Sequence, residues 1–158
     1  MIGHYILVFF LSMVPVLELR FAVPLAVNLG IPSLTAIAVC TIGNMVPVPL
    51  IYFFARKVLI WGMDKPYIGK PFTFLHDKGQ RAGQKLREKA GRGGLFIALL
   101  LFVGIPIPGT GAWTGTLAAS FLDMGIKSTA ISVSLGVILA GCIMALASSG
   151  IIHVFGLF

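Results

Sequence analysis

Four long apolar stretches, at residues 4–29, 33–55, 94–122 and 129–157, determine the fold class of this chain of 158 residues. Each is long enough to cross a bilayer, which takes about 20 apolar residues in a helix. Only 11% of the residues are charged, against about 25% in ordinary soluble domains. Because so little charge cannot cover a soluble surface, the sequence predicts an all-α integral membrane protein with a single transmembrane domain over residues 1–158.

The basic residues are concentrated between the second and third apolar stretches. Ten of the twelve Lys and Arg lie between Arg56 and Arg92, and the net charge is +7. Cytoplasmic loops of membrane proteins carry such an excess of Lys and Arg. We therefore expect a multi-pass protein with a cytoplasmic basic linker at residues 56–93 and no nucleic-acid partner. Within the linker, residues 75–90 fit a basic surface helix or a solvated loop equally well.

Two of the four apolar stretches are interrupted. Pro15 and Pro24 bracket Glu18 and Arg20 in the first, and the run Gly-Ile-Pro-Ile-Pro-Gly-Thr-Gly at 104–111 interrupts the third. Proline removes a backbone donor and glycine is costly in a helix. We therefore expect both stretches to break near mid-depth, with the two charges in an unwound segment between the prolines. Such backbone is tolerated in a bilayer only inside protein or beside a wet cavity.

The order of features repeats in residues 1–55 and 94–158. Asn28–Ser33 can be aligned with Asp123–Ser128, so each half consists of a broken segment, a short Gly-Ile turn and a continuous helix. If the broken segments are re-entrant hairpins, the N-terminus is outside and the halves are inverted; if they span fully, both termini are inside. Inverted repeats with broken helices are a recurring transporter design, and two such repeats are the architecture that we predict.

Glu18 and Arg20 are the first candidates for a binding site, because an ionisable residue at bilayer depth is costly and usually marks a substrate or ion pathway. Burial disfavours the charged form of a carboxyl group, whereas a neighbouring Arg favours it. This competition makes Glu18 a candidate proton-coupling residue. The alternative is a structural ion pair that holds the break together, since buried ions are usually paired.

The second break supplies uncharged groups to the same predicted site. Its candidates are backbone-freeing residues followed by hydroxyl and aromatic side chains: Pro106, Pro108, Gly109, Thr110, Gly111, Trp113 and Thr114. Helix N-termini attract anions, and half-helices that begin near Glu18 and Gly111 would direct theirs at the membrane centre. Together with Arg20 they predict a small anionic or amphiphilic substrate. A packing or interfacial role suits Trp113 equally well.

The other polar residues of the apolar stretches are expected to be structural. Asn44 suits an interhelical hydrogen bond, and Cys40 and Cys142 suit buried free thiols. The sequence has no P-loop, nucleophile elbow or zinc-protease motif and no Cys/His cluster. We therefore expect neither an enzyme nor a metal or other cofactor.

Two motifs carry a resemblance to a known family. Val14–Ala26, which contains Pro-Val-Leu-Glu-Leu-Arg-Phe-Ala-Val-Pro, and Pro106–Gly115 together resemble the small multidrug export proteins of prokaryotes, and the resemblance covers nearly the whole chain. It implies a transporter in the prokaryotic cell membrane. A more distant similarity to DedA-type membrane proteins implies ion-coupled transport of polyprenyl-phosphate or phospholipid headgroups. The chain departs from that group at Thr110, where an acidic residue is typical.

These features together predict a small transporter, coupled to protons, that binds an anionic or amphiphilic substrate such as a lipid-phosphate headgroup. A proton-driven multidrug exporter is the alternative of the same class, although an Arg two residues from Glu18 is poor chemistry for binding a lipophilic cation. A non-transporting structural or assembly protein is the alternative of another class. Membrane lipids are the expected partners, and a homodimer is expected because so few spans cannot close a pathway alone.

Overall fold

The computed structural model describes residues 2–15, 17–107 and 110–155, which form seven α-helices and no β-strand. The helices are α1 (Ile2–Met13), α2 (Glu18–Asn28), α3 (Ser33–Met45), α4 (Pro47–Met63), α5 (Gly69–Gly104), α6 (Ala112–Phe121) and α7 (Ile126–Phe155). The predicted all-helical class is confirmed.

Two helical segments are long and apolar enough to cross a membrane, Ser33–Met63 and Ile126–Ser148. The first comprises α3 and α4, which are separated only at Val46. Large apolar side chains on both segments face away from the protein; Leu34 is 82% exposed and Leu146 is 75% exposed. Lipid acyl chains cover such a surface, whereas a soluble monomer rarely presents one. The protein is therefore a membrane protein.

Two further apolar helices are too short to cross a bilayer. They are α1 and the apolar end of α5, Gly93–Gly104. Each extends about 18 Å at 1.5 Å per residue, against a hydrocarbon core of about 30 Å. The first stops at Met13 and the second at Gly104, next to the Pro-containing and Gly-containing runs where the sequence predicts breaks. In both cases the next helix, α2 or α6, packs back against it.

Helix α2 lies at the centre of the packing, against α1, α3 and α7. Its side chains Leu19, Ala22, Val23 and Ala26 are at most 1% exposed. Small residues let helices approach closely in lipid, and Gly43 of α3 does so against α1, because a side chain there would overlap the carbonyl oxygen of Phe9. Close packing around α2 fixes the orientation of its first turn.

The turns after α2 and α6 share one hydrogen-bond pattern. In each turn, the first of three successive amides donates to the carbonyl oxygen four residues earlier, the second to the one three residues earlier and the third to the one five residues earlier. The three amides belong to Leu29, Gly30 and Ile31 in the first turn, and to Leu122, Asp123 and Met124 in the second. Corresponding residue numbers differ by 93, and the middle residues both have positive φ, 80° and 53°. The predicted alignment of Asn28 with Asp123 is therefore two residues out of register, because the matching Gly-Ile pairs occupy different places in the two turns.

The first break is shorter than the prolines suggest. Helix α2 runs through Pro24, so the prediction of a structural break at that proline is wrong, and Glu18 and Arg20 lie in the first turn of a helix. Pro24 has no N–H to donate to the carbonyl oxygen of Arg20. Membrane helices tolerate such a loss because surrounding groups compensate for it, and here the packing around α2 supports the helix.

The basic region is largely helical. Helix α4 continues past Arg56 to Met63, and α5 begins at Gly69, so only residues 64–68 of the predicted linker connect the two helices. Gly91, with φ 68°, kinks α5 between its basic part and its apolar end. Cys40 is buried as expected, but Cys142 is exposed on α7, where an apolar thiol faces outward without cost in lipid.

Tyr52 of α4 makes hydrogen bonds to α6 and to the turn that follows it. The Tyr52 hydroxyl donates to the carbonyl oxygen of Met124, and the Ser120 hydroxyl donates to the carbonyl oxygen of Tyr52 at 3.3 Å. Nearby, Arg56 Nη2 lies 3.0 Å from Asp123 Oδ1; both side chains are about half exposed, so this pair contributes little. The buried Tyr52 therefore fixes the C-terminal end of α6.

We expect Tyr52→Phe to lower the free energy of unfolding by about 1 kcal/mol, because it removes one buried hydrogen bond and leaves the Met124 carbonyl without its donor. Unfolding in mixed SDS–detergent micelles measures the change. Tyr67→Phe is the matched control, since Tyr67 is 96% exposed. Equal stability of the two variants would contradict the assigned role of Tyr52.

Candidate functional site

A cavity of about 740 Å³ lies where the two breaks meet. This volume is within the range of small-molecule sites, about 300–1,000 Å³. We call it the substrate cavity. It is lined by Pro15, Glu18, Arg20, Phe21 and Pro24 from the first half, and by Pro106, Thr110, Trp113, Thr114, Leu117 and Met144 from the second. The structure thus brings together residues about 90 positions apart in the chain.

The predicted site residues are nearly all at this place. Those in the substrate cavity are Glu18, Arg20, Pro106, Thr110, Trp113 and Thr114, together with Pro15 and Pro24. Gly111 lies just behind it, in contact with the Glu18 carboxylate. Pro108 and Gly109 are outside the described residues.

Glu18 has an unusual backbone conformation. Its φ is 45°, in the left-handed region, which non-glycine residues adopt rarely and at a cost of order 1–3 kcal/mol. Its N–H donates to the carbonyl oxygen of Val14 at 3.0 Å, across the first break. The side chain is only 7% exposed and is directed at α6. The strain places a carboxyl group at a defined point between the two halves.

The Glu18 carboxylate caps the N-terminus of α6. Its Oε1 accepts a hydrogen bond of 3.2 Å from the backbone N–H of Trp113, the second residue of that helix. A negative charge is stabilised there by the free N–H groups and the helix dipole. The sequence predicts this N-terminus as an anion site, and in the structure the protein's own carboxylate occupies it.

Gly111 makes room for this carboxylate. A Cβ built at Gly111 would overlap the Glu18 side chain. The backbone of Gly111 is extended, with φ 162°, so space and not conformation requires glycine at this position.

Arg20 bonds to the second break. Its guanidinium donates to the carbonyl oxygen of Ile107, to Thr110 Oγ1 at 2.5 Å and, at 3.5 Å, to the carbonyl oxygen of Ile105. Thr110 Oγ1 also lies 2.9 Å from both of these carbonyl oxygens. No ion pair joins Arg20 to Glu18 within the part of the chain that the structure describes. The partners of the guanidinium are therefore neutral oxygens, and the structural ion pair that was the alternative for the two residues is not formed.

Trp113 makes the reciprocal contact. Its indole Nε1 donates to the carbonyl oxygen of Met13, the last residue of α1, at 3.1 Å. In the register of 93 given by the turns, Trp113 corresponds to Arg20, and Gly111 corresponds to Glu18. Each half thus extends one donor side chain to the carbonyl oxygens where a helix of the other half ends. Thr114, in contrast, makes no such contact with the other half: its hydroxyl donates a long hydrogen bond of 3.4 Å to the carbonyl oxygen of Gly111, just before its own helix.

Asn44 is a candidate functional residue in the structure, although the sequence predicts only a structural role for it. It is 2% exposed, and its Oδ1 has no hydrogen-bond partner among the described residues, so the expected interhelical bond to this oxygen is not formed. Asn44 lines a small cavity of about 10 Å³ together with Glu18 and Gly111. An amide in the middle of an otherwise apolar span was the only signal in the sequence.

Comparison with known proteins identifies the family of the chain. The family model described as "Putative small multi-drug export protein" matches residues 18–143. The match covers most of the chain, from Glu18 through both sides of the substrate cavity. No curated protein and no solved structure matches. The resemblance that the two sequence motifs carry is confirmed.

We expect Gly111→Ala to destabilise the protein by about 1–3 kcal/mol, the usual cost of overpacking, because the added methyl displaces the carboxylate from α6. The free energy of unfolding in SDS measures the effect, and Gly125→Ala is the control, since a Cβ there meets nothing within 4 Å. In a Glu18→Ala background the same substitution should cost less, as residues in contact are not additive. Additivity would show that the two residues do not touch.

Proposed function

Since the chain belongs to the small multidrug export family, we propose that it is a proton-coupled membrane transporter of small amphiphilic anions. The family description supports transport in general. The observation that carries the finer proposal is the substrate cavity, where a carboxyl group, a guanidinium and a helix N-terminus lie beside apolar walls.

Arg20 is the anchor for an anion. Its present partners are neutral oxygens, so its charge is not neutralised by a direct ion pair. A phosphate or carboxylate that enters the cavity gains charge-assisted hydrogen bonds to the guanidinium. Phe21, Leu117 and Met144 line the same cavity and suit the apolar part of an amphiphile. A lipid-phosphate headgroup with part of its chain has this chemistry.

Glu18 couples the proton to the anion. While ionised, it occupies the N-terminus of α6 and its charge repels a second anion. When it is protonated, that repulsion disappears, and the N–H groups of α6 together with Arg20 attract the substrate. Proton and anion therefore favour each other's binding by the same factor, because coupling between sites is reciprocal. This scheme carries proton and anion in the same direction.

We further propose that the broken segments are re-entrant hairpins in two inverted repeats. The short lengths of α1 and Gly93–Gly104 support hairpins that turn back within the membrane. The shared turn geometry and the reciprocal contacts of Arg20 and Trp113 support a repeat. The basic residues 56–93 are then cytoplasmic. A homodimer surrounded by lipid completes the proposal, because two spanning segments enclose little space.

One observation favours a second candidate, a proton-driven exporter of lipophilic cations. Phe21 and Trp113 place aromatic rings in the substrate cavity beside an acidic group, and aromatic faces attract cations. A structural role without transport is the third candidate. In that case the hydrogen bonds from Arg20 to Ile107 and Thr110 would serve only to stabilise the second break.

Transport by proteoliposomes separates these functions. We expect a proton gradient to drive flux of dodecyl phosphate through the wild-type protein. Glu18→Gln should abolish the response to the gradient, because the side chain can no longer ionise. Arg20→Ala should weaken binding of dodecyl phosphate at least about tenfold, the loss expected for charged hydrogen bonds.

The controls are exposed residues of the same kinds on α5, Glu88→Gln and Arg81→Ala, which should behave as wild type. Flux of dodecyltrimethylammonium in place of dodecyl phosphate, lost in Glu18→Gln, would identify the cation exporter. Absence of flux for both probes would favour the structural role. A gradient response that survives in Glu18→Gln would rule out the coupling role of this residue.

Labelling of single cysteines tests the topology. In a variant with Cys40 and Cys142 replaced by Ala, we expect an impermeant maleimide to label both Gly3→Cys and Leu34→Cys in intact cells, because a re-entrant hairpin returns to its own side. Lys70→Cys, in the basic region, should stay unlabelled. Labelling of Leu34→Cys alone would show that the first segment spans the membrane.

A further inference from the structure

A second, much smaller cavity adjoins Glu18. Its volume is about 10 Å³, and Glu18, Asn44, Gly111 and Val137 are among its lining residues. Space of this size holds about one water molecule. We call it the inner cavity. Glu18 and Arg20 line both cavities, so Glu18 contacts the substrate cavity as well as the inner cavity.

Asn44 brings an unused acceptor to the inner cavity. The side chain is 98% buried and its Oδ1 has no partner among the described residues. A buried polar atom without a hydrogen bond costs about 1–3 kcal/mol. Thr41 and Thr116 also carry buried hydroxyls without a partner, but neither lines the inner cavity or the substrate cavity. Asn44 therefore places its unsatisfied oxygen in the cavity that Glu18 also lines.

The inner cavity lies where the two halves meet, and its polarity is one-sided. In the register of 93, Glu18 corresponds to Gly111 and Asn44 to Val137, and all four residues line this cavity. In each pair the polar side chain belongs to the first half. Packing alone does not require two polar groups on the same side of this space.

The neighbours of Glu18 serve its two protonation states differently. The α6 end and Arg20 present N–H groups, which donate to an ionised carboxylate but cannot accept a hydrogen bond from its acid form. The acid form needs an acceptor. Arg20 is the charged group beside Glu18, and α3, α6 and α7 present Asn44, Ala112 and Val137 to the inner cavity. Of these three side chains, only Asn44 has an acceptor oxygen.

We propose that the inner cavity binds one water molecule, through which Asn44 Oδ1 accepts a hydrogen bond from protonated Glu18. Uptake of one proton neutralises the carboxylate, and no other covalent bond forms or breaks. The carboxyl group then exchanges its bond to Trp113 N–H for one to the water, and the N-terminus of α6 becomes available to an anion. Asn44 is a positioning residue in this scheme, which rests on the proposed proton uptake by Glu18.

Infrared difference spectroscopy of the protein in nanodiscs, between low and high pH, tests the proposal. Wild type should show the C=O stretch of a hydrogen-bonded carboxylic acid, and Glu18→Gln should lose it. Asn44→Leu should shift this band to higher wavenumber, since the acid loses its acceptor. Thr41→Val, which removes an unpartnered buried hydroxyl from the same helix, should leave the band in place.

An unshifted band in folded Asn44→Leu would overturn the proposal, as would an equal shift in Thr41→Val. If Asn44→Leu does not fold, Asn44→Val copies the residue at position 137 and should give the same shift. Spectral changes that follow sodium concentration instead of pH would also overturn it, by assigning the inner cavity to a cation. The spectra do not depend on transport. If the band shifts as expected but the protein does not transport dodecyl phosphate, the proposed substrate is rejected and the role of Asn44 stands.

Discussion

The bond between the Glu18 carboxylate and the N-terminus of α6 is the interaction on which the site depends. It places a charge from the first half against the dipole of a helix from the second half, where the charge is stabilised most. Gly111 has no side chain because the carboxylate fills that space, and the left-handed backbone of Glu18 directs the group there. Loss of the negative charge, by protonation or substitution, therefore affects both halves at once.

Arg20 and Trp113 hold the same junction from opposite directions. The end of a helix leaves carbonyl oxygens without intrahelical donors, and a carbonyl oxygen without a donor is costly in an apolar environment. The guanidinium of Arg20 supplies donors to the second break, and the indole of Trp113 supplies one to the end of α1. Each break therefore receives a donor from the other half in addition to its own local hydrogen bonds. These bonds join the two halves, and the substrate cavity lies beside them.

The sequence predicted the helical class, the existence of both breaks and most of the residues that line the substrate cavity, because composition and proline placement are local signals. It wrongly placed Glu18 and Arg20 in an unwound segment. Whether a helix continues through a proline depends on the packing around it, which the sequence does not show. The pairing of Glu18 with α6 and of Arg20 with Ile107 depends on contacts between residues about 90 positions apart. Asn44 was assigned to packing because an unpartnered oxygen is visible only in three dimensions.

Pro24 has a consequence for how the first turn of α2 is held in place. Because it cannot donate to the carbonyl oxygen of Arg20, the first turn of α2 is joined to the rest of the helix by one hydrogen bond fewer than usual. That turn carries both charged groups of the substrate cavity, and Pro24 itself lines the cavity wall. The place of that turn therefore depends more than usual on the bonds that Glu18 and Arg20 make to the second half and on the burial of Leu19 between them.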